Sequence, residues 1–268
     1  MAEKTAKDLL AEGDEALVQA SFGTGEFAVA EELFQTARRA AAEVGDRSAQ
    51  ADADNGLGLL AHYRNIAKLM AGQQTDPAEV QAEEELFRSA LITHQELGNV
   101  VGVAHSLFGI GLVYQVLHRD WSSAMPYYWQ VLELAEVLEE NGDLYARSEI
   151  HRHVGFYYMV EDVQPAEALR HLNLSLELRE RLGDPRRIPS ALEALGEAEA
   201  VAGNRDRALA LLTEATDRAR AAGLSPARIE GMEQTLRDVD QGVGIFAAGP
   251  SPDGAETVAG QGDPAAGQ

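Results

Sequence analysis

Residues 191–215 read ALEALGEAEAVAGNRDRALALLTEA, and this stretch decides the fold. Gly203-Asn204 divides it into two helical segments. The first carries Leu192, Leu195, Gly196 and Glu199. The second carries Ala208, Leu212 and Ala215, spaced four and then three residues apart and therefore on one helix face. Gly196 and Ala208 are small where two helices must approach closely, and the leucines fill the space between them. Asn204 is placed to cap the second helix after the Gly203 turn. Two helices of this length cannot bury their apolar faces alone, so the pattern demands neighbours of the same kind.

The rest of the chain supplies them. A glycine ends each second helix, at Gly45, Gly98, Gly142, Gly183 and Gly223, in steps of 53, 44, 41 and 40 residues. Glycine suits that place because helices often finish on a left-handed residue, where a Cβ would clash. A second series lies inside the first helices, at Gly13, Gly58, Gly109, Gly155 and Gly196, in steps of 45, 51, 46 and 41. The two series drift together. Asp76-Pro77-Ala78-Glu79 reads as a helix start. A separate short helix is expected over Asn65–Met70, and Pro126 requires its helix to begin near Ser122 or Ser123. Ser225-Pro226 opens one more helix, to about Val239. The division is a repeat array over 1–240 and a Gly/Pro/Ala-rich tail over 241–268, expected to be disordered.

Leu195-Gly196, then Ala208, Leu212 and Ala215, with Ala208 twelve residues after Gly196, resembles the tetratricopeptide repeat (TPR). Glu199 departs from it, standing where that family usually has a large aromatic. The resemblance implies an all-α, right-handed superhelical solenoid of helix-turn-helix repeats: five helical pairs plus a capping helix, with the first helices lining a concave groove. Positions six and three before each marker glycine, and one and four after it, then face the groove. In the first unit these are Lys7, Leu10, Asp14 and Leu17. The candidate binding residues implied are Asp52, Asn55 and His62 of the second unit (with Leu59), Ser106, Ile110 and Val113 of the third (with Val103), and Glu149, Arg152, Phe156 and Met159 of the fourth. Ser190, Glu193, Glu197 and Ala200 follow in the fifth. This groove is polar at its ends and apolar at Ile110, Val113, Phe156 and Met159, which suits an amphipathic helix, an extended peptide or a small apolar molecule.

Composition bounds the chemistry. The chain has 268 residues with 22 Lys+Arg against 44 Asp+Glu, a formal net charge of -22. That balance argues against nucleic acid, whose affinity is built on Lys and Arg contacts, and against anionic membrane surfaces. With no cysteine, disulfides, thiolate metal sites and cysteine nucleophiles are excluded. The N-terminus lacks a signal-like apolar run and no stretch reads as long enough to cross a membrane, so a cytoplasmic location is expected. Ten of the sixteen aromatics lie between Phe108 and Tyr158, mostly at core positions. His105 and His151 hold equivalent places on consecutive first helices. His151 and His153, two apart, point to opposite sides, and no HExxH pattern or third ligand accompanies them, so no metal or cofactor is expected. Glu149 and Arg152, three apart, are expected to pair with each other. No nucleophile elbow, phosphate loop or carboxylate pair appears, so no catalytic residue is assigned. The expected function is a non-catalytic scaffold or adaptor holding a protein segment or peptide. The alternatives are a small-molecule or signalling-peptide sensor, or an enzyme of specialised metabolism with a His/Tyr-rich central pocket. The oligomeric state is not legible.

Overall fold

Short polar side chains set half of the helix starts. Thr5 and Asp8 form a reciprocal capping box, and Asp46, Asp76, Asn99, Asp120 and Asp143 each accept a backbone N–H of the turn they precede. Glycines end several helices with positive φ, 73° at Gly45, 69° at Gly98 and 73° at Gly183. The computed structural model describes residues 4–243, and every element among them is helical. In order these are α1 (Ala6–Ser21), α2 (Phe27–Val44), α3 (Arg47–Met70), α4 (Pro77–Leu97), α5 (Val100–Leu112, prolonged by a π-helical turn Val113–Leu117), α6 (Trp121–Glu133), α7 (Ala135–Glu140), α8 (Leu144–Val160), α9 (Pro165–Leu182), α10 (Ile188–Val201), α11 (Arg205–Ala221) and α12 (Pro226–Gln241). Consecutive helices pack as pairs, each pair rests on the next, and α12 packs on α11 and α10.

The pairs close on glycine. Gly13 faces Phe34, Gly58 faces Phe87, Gly155 faces Leu172, and a Cβ on Gly196 would stand 2.8 Å from Leu212 Cγ. In the third pair this role belongs to Gly111, which faces Tyr128. Gly109 packs against Phe87 of the preceding pair, as Gly56 packs against Phe34. The sequence register therefore slips by two residues in that pair. With Gly111 restored, each such glycine from the second pair on follows its helix-ending glycine by thirteen residues: 58 after 45, 111 after 98, 155 after 142 and 196 after 183.

Other expectations change too. α3 runs unbroken to Met70, with no separate helix over Asn65–Met70, because Asn65 is buried and donates to Glu83 at 2.8 Å. Pro126 lies inside α6, which begins at Trp121, one residue from the start expected near Ser122. Asn204 precedes α11, but its side chain donates to Glu199 at 2.7 Å instead of capping. Glu199, the departure from the family pattern, is buried between that amide and Arg207 at 2.6 Å. Val100–Leu117, with a mean hydropathy of 1.8 over 18 residues, is long and apolar enough to cross a bilayer, contrary to the reading above, and 61% of it is buried inside the protein. The expected tail from 244 onward lies outside the described residues, α12 ending at Gln241.

The two ends of the series meet. Ser225 donates its N–H to the Phe22 carbonyl at 3.3 Å, and Arg228 Nε donates to the Ser21 carbonyl at 3.1 Å. Phe22 packs with Ala219, Leu224 and Met232, and Arg186 pairs with Glu15 at 2.9 Å. The start of α12 and the loop before α10 thereby return to α1.

Candidate ligand cavity

Amphipathic first helices turn one face outward from their partner helices and toward a shared interior. α1, α3, α5 and α8 bound a cavity of about 650 Å3, to which α9, α10 and α12 contribute Arg179, Ser190 and Arg228. The return of α12 onto α1 brings Arg228 across the end of this space. Leu10, Leu17, Leu59, Phe108 and Leu112 supply apolar wall.

Asp52, Asn55, His62, Glu149 and Arg152 border the cavity, as do Lys7, Leu10, Asp14, Leu17 and Leu59. Ser106, Ile110, Val113, Phe156 and Met159 do not, and the apolar centre inferred from the last four is a correction. The third-pair residues follow from the slipped register. Ser106 is buried, its hydroxyl 2.9 Å from both Asn55 Oδ1 and the Gly102 carbonyl, while Ile110 and Val113 pack with Val80 and Phe87. His105, Phe108 and Leu112, two residues after Val103, Ser106 and Ile110, take the lumen positions. Phe156 and Met159 belong to the central core with Ala194, Leu195 and Ala198 of α10.

The polar wall carries charges of both signs. His105 Nε2 lies 2.5 Å from Asp143 Oδ2, with Asp14 and Asp52 nearby. Burial disfavours the imidazolium, but the Asp143 hydrogen bond and the three carboxylates outweigh it and raise the His105 pKa. Asp14 is pushed up to about 6, chiefly by burial, with Asp52 and Asp143 adding and His105 and Arg187 opposing. Arg152, Arg179, Arg187 and Arg228 also line the cavity with Tyr63 and Tyr145, and Arg187 acts on both Asp14 and Asp143. Glu149 pairs with Arg179, not with Arg152 as expected, and Arg152 lies 4.6 Å from the Phe156 ring centroid. Burial lowers the Arg179 pKa to about 10, and it donates to the Arg187 carbonyl at 2.8 Å and to Ser190 at 2.6 Å. The Arg187 guanidinium sits 3.5 Å from the Tyr145 ring centroid. The Tyr63 and Tyr145 hydroxyls act on each other, bringing α3 against α8.

Four more histidines meet side-chain partners, although His62 Nε2 is buried with no hydrogen-bond partner among the described residues. His62 Nδ1 lies 2.7 Å from Glu83, His153 2.7 Å from Gln115, and His151 2.9 Å from His171. His105 and His151 therefore have separate partners, and no group of metal-ligating side chains suited to an ion occurs among the described residues. Trp121, Trp129, Tyr157 and Tyr158 pack on one another, while Phe108 and Tyr145 of the aromatic-rich centre reach the cavity. Tyr63, Arg179, Arg187 and Arg228 were not anticipated. Arg179 had a readable signal: it continues the apolar spacing Ala168, Leu172, Ser175 of its helix.

A scan against protein-family models finds no match, and no curated protein matches by sequence. Among solved structures the chain is similar in fold to BtubC (BKLC) from P. vanneervenii. The TM-score is 0.53 at 18% identity, over 84% of this chain and 95% of that one.

Proposed function

We propose that this chain is a TPR-like, non-catalytic binding protein of the cytoplasm whose ligand, a small molecule or short peptide, occupies the interior cavity. The TPR-like reading rests on glycines that meet large side chains at matched depth in five successive pairs. The cavity itself carries the choice of ligand. Its 650 Å3 falls within the ~300–1,000 Å3 typical of small-molecule sites. The contact of α12 with α1 favours an enclosed ligand over a long protein segment laid along an open groove.

Ala11 and Ala146 both border the cavity without belonging to the buried core, so a tryptophan at either fills the lumen. Native mass spectrometry of the full chain, purified without denaturation, is expected to reveal a bound species lost in Ala11→Trp and Ala146→Trp while helicity is kept. A partner that binds both variants as well as the parent protein would overturn the reading.

A further inference from the structure

We propose, building on the cavity reading above, that the ligand has an apolar body and one oxyanion, and that Arg187 and Arg228 receive the oxyanion beside Tyr145. The distribution of charge is the first ground. In a chain with twice as many acids as bases, four arginines converge on a single cavity from α8, α9, the residue before α10, and α12. Such convergence is costly in a desolvated space unless anions balance it.

The partners show which charges are already balanced. Arg179 is spent on Glu149 and on the backbone and Ser190. Arg187 reaches Asp184 only at 3.3 Å, and that carboxylate also holds Arg186 at 2.9 Å. Arg228 uses Nε on the Ser21 carbonyl and lies 5.1 Å from the Phe22 ring, and Glu193 is the carboxylate that acts on its charge. Burial, the largest single effect, raises a phenol pKa, yet that of Tyr145 is lowered, because Arg187, Arg179 and the Tyr63 hydroxyl together outweigh it. A positive field at the Tyr145 hydroxyl is what an oxyanion would meet. A guanidinium fixed over an aromatic ring is a preorganised fork for carboxylate or phosphate.

The carboxylates orient the ligand. Asp14, Asp52 and Asp143 repel an anion from the surroundings of His105, leaving the Leu10, Leu17, Leu59 and Phe108 surface for the apolar body, and Asp14 and Asp143 also act on Arg187. Asn55 Nδ2, buried with no hydrogen-bond partner among the described residues, adds a donor beside that surface.

The test uses two probes with the same aromatic body. Anilinonaphthalene sulfonate carries an oxyanion and N-phenylnaphthylamine does not; binding of each to the full chain is followed by fluorescence. The sulfonate is expected to bind at least about tenfold more tightly than the neutral amine, a difference of about 1.4 kcal/mol. Arg187→Gln should remove the preference with the thermal transition unchanged, and Arg228→Lys, which keeps the charge, should retain most of it. Decanoate or decyl phosphate should displace the sulfonate, the stronger of the two naming the oxyanion, and decanol should not. If both probes bind alike and Ala11→Trp blocks both, the cavity reading stands and this inference falls. If neither probe binds, both fall. Displacement equally by decanol, or by none of the three, also overturns it.

Discussion

Ser225 donates its backbone N–H to the carbonyl of Phe22, so the start of the last helix is fastened to the residue that ends the first. Phe22 adds a ring buried against Ala219, Leu224 and Met232. Phe22→Ala removes that ring, and a buried Phe→Ala change costs about 3–5 kcal/mol where the site cannot collapse. Here the loss falls on the contact between ends. The expected outcome is a larger radius of gyration by small-angle scattering, with far-ultraviolet circular dichroism nearly unchanged. Val29→Ala, on a side chain 53% exposed, should change neither.

Asp14 gives the cavity a pH response. Its native pKa of about 6 lies above the ordinary 3.8, so the folded chain holds the proton more tightly than the unfolded chain. Its contribution to stability therefore falls as pH rises between those values. Asp14→Asn should melt higher than the parent at about pH 7.5, with the gap closing toward about pH 4. Protonation also removes a negative charge facing His105, Asp52, Asp143 and Arg187, so sulfonate-probe affinity should rise on acidification through about 6, and stay flatter in Asp14→Asn.

The buried imidazoles respond in the opposite sense. Burial lowers His151 to about 3 and His171 to about 4, with the neighbouring ring adding to the former and Arg170 to the latter. The unfolded chain binds those protons first, near 6.5, so stability should fall as pH drops from 6.5 toward 4. Each unit of depression is worth about 1.4 kcal/mol. Urea midpoints across this range provide the measurement, and replacing both rings, His151→Phe with His171→Leu, should flatten the curve.

Two glycines should answer in opposite directions. Gly111→Ala pushes a methyl into the Tyr128 ring, whose hydroxyl is held by Gln115 at 2.6 Å, so the ring has little room to yield. It should destabilise by about 1–3 kcal/mol. Gly231, inside α12 with nothing near its missing Cβ, should gain about 0.8–1.0 kcal/mol on substitution by Ala. Urea denaturation of both variants decides the matter.

What the sequence disclosed follows from the range of the interactions involved. Lys7, Leu10, Asp14, Asp52, Asn55 and His62 lie where helical spacing from Gly13 and Gly58 puts them, because that face is fixed by contacts within one hairpin. In the third pair two glycines two residues apart, Gly109 and Gly111, offered equal local claims. Only Phe87 of the preceding pair and Tyr128 of their own pair distinguish them. Phe156 and Met159 hold the corresponding helical positions in α8, yet α10 packs over them, a between-pair contact that spacing does not encode. The arginines of the cavity were hidden for a similar reason. Arg228 reaches it only because the first and last described helices meet.

That meeting also constrains how such a molecule can diversify. An open row of hairpins grows or shrinks by duplication and loss, each new unit finding a ready neighbour. Here an added hairpin would hold Phe22 and Ser225 apart, and a deleted one would drive α1 into α10. Change must then come through substitutions on the inner wall, with the number of hairpins held fixed by geometry.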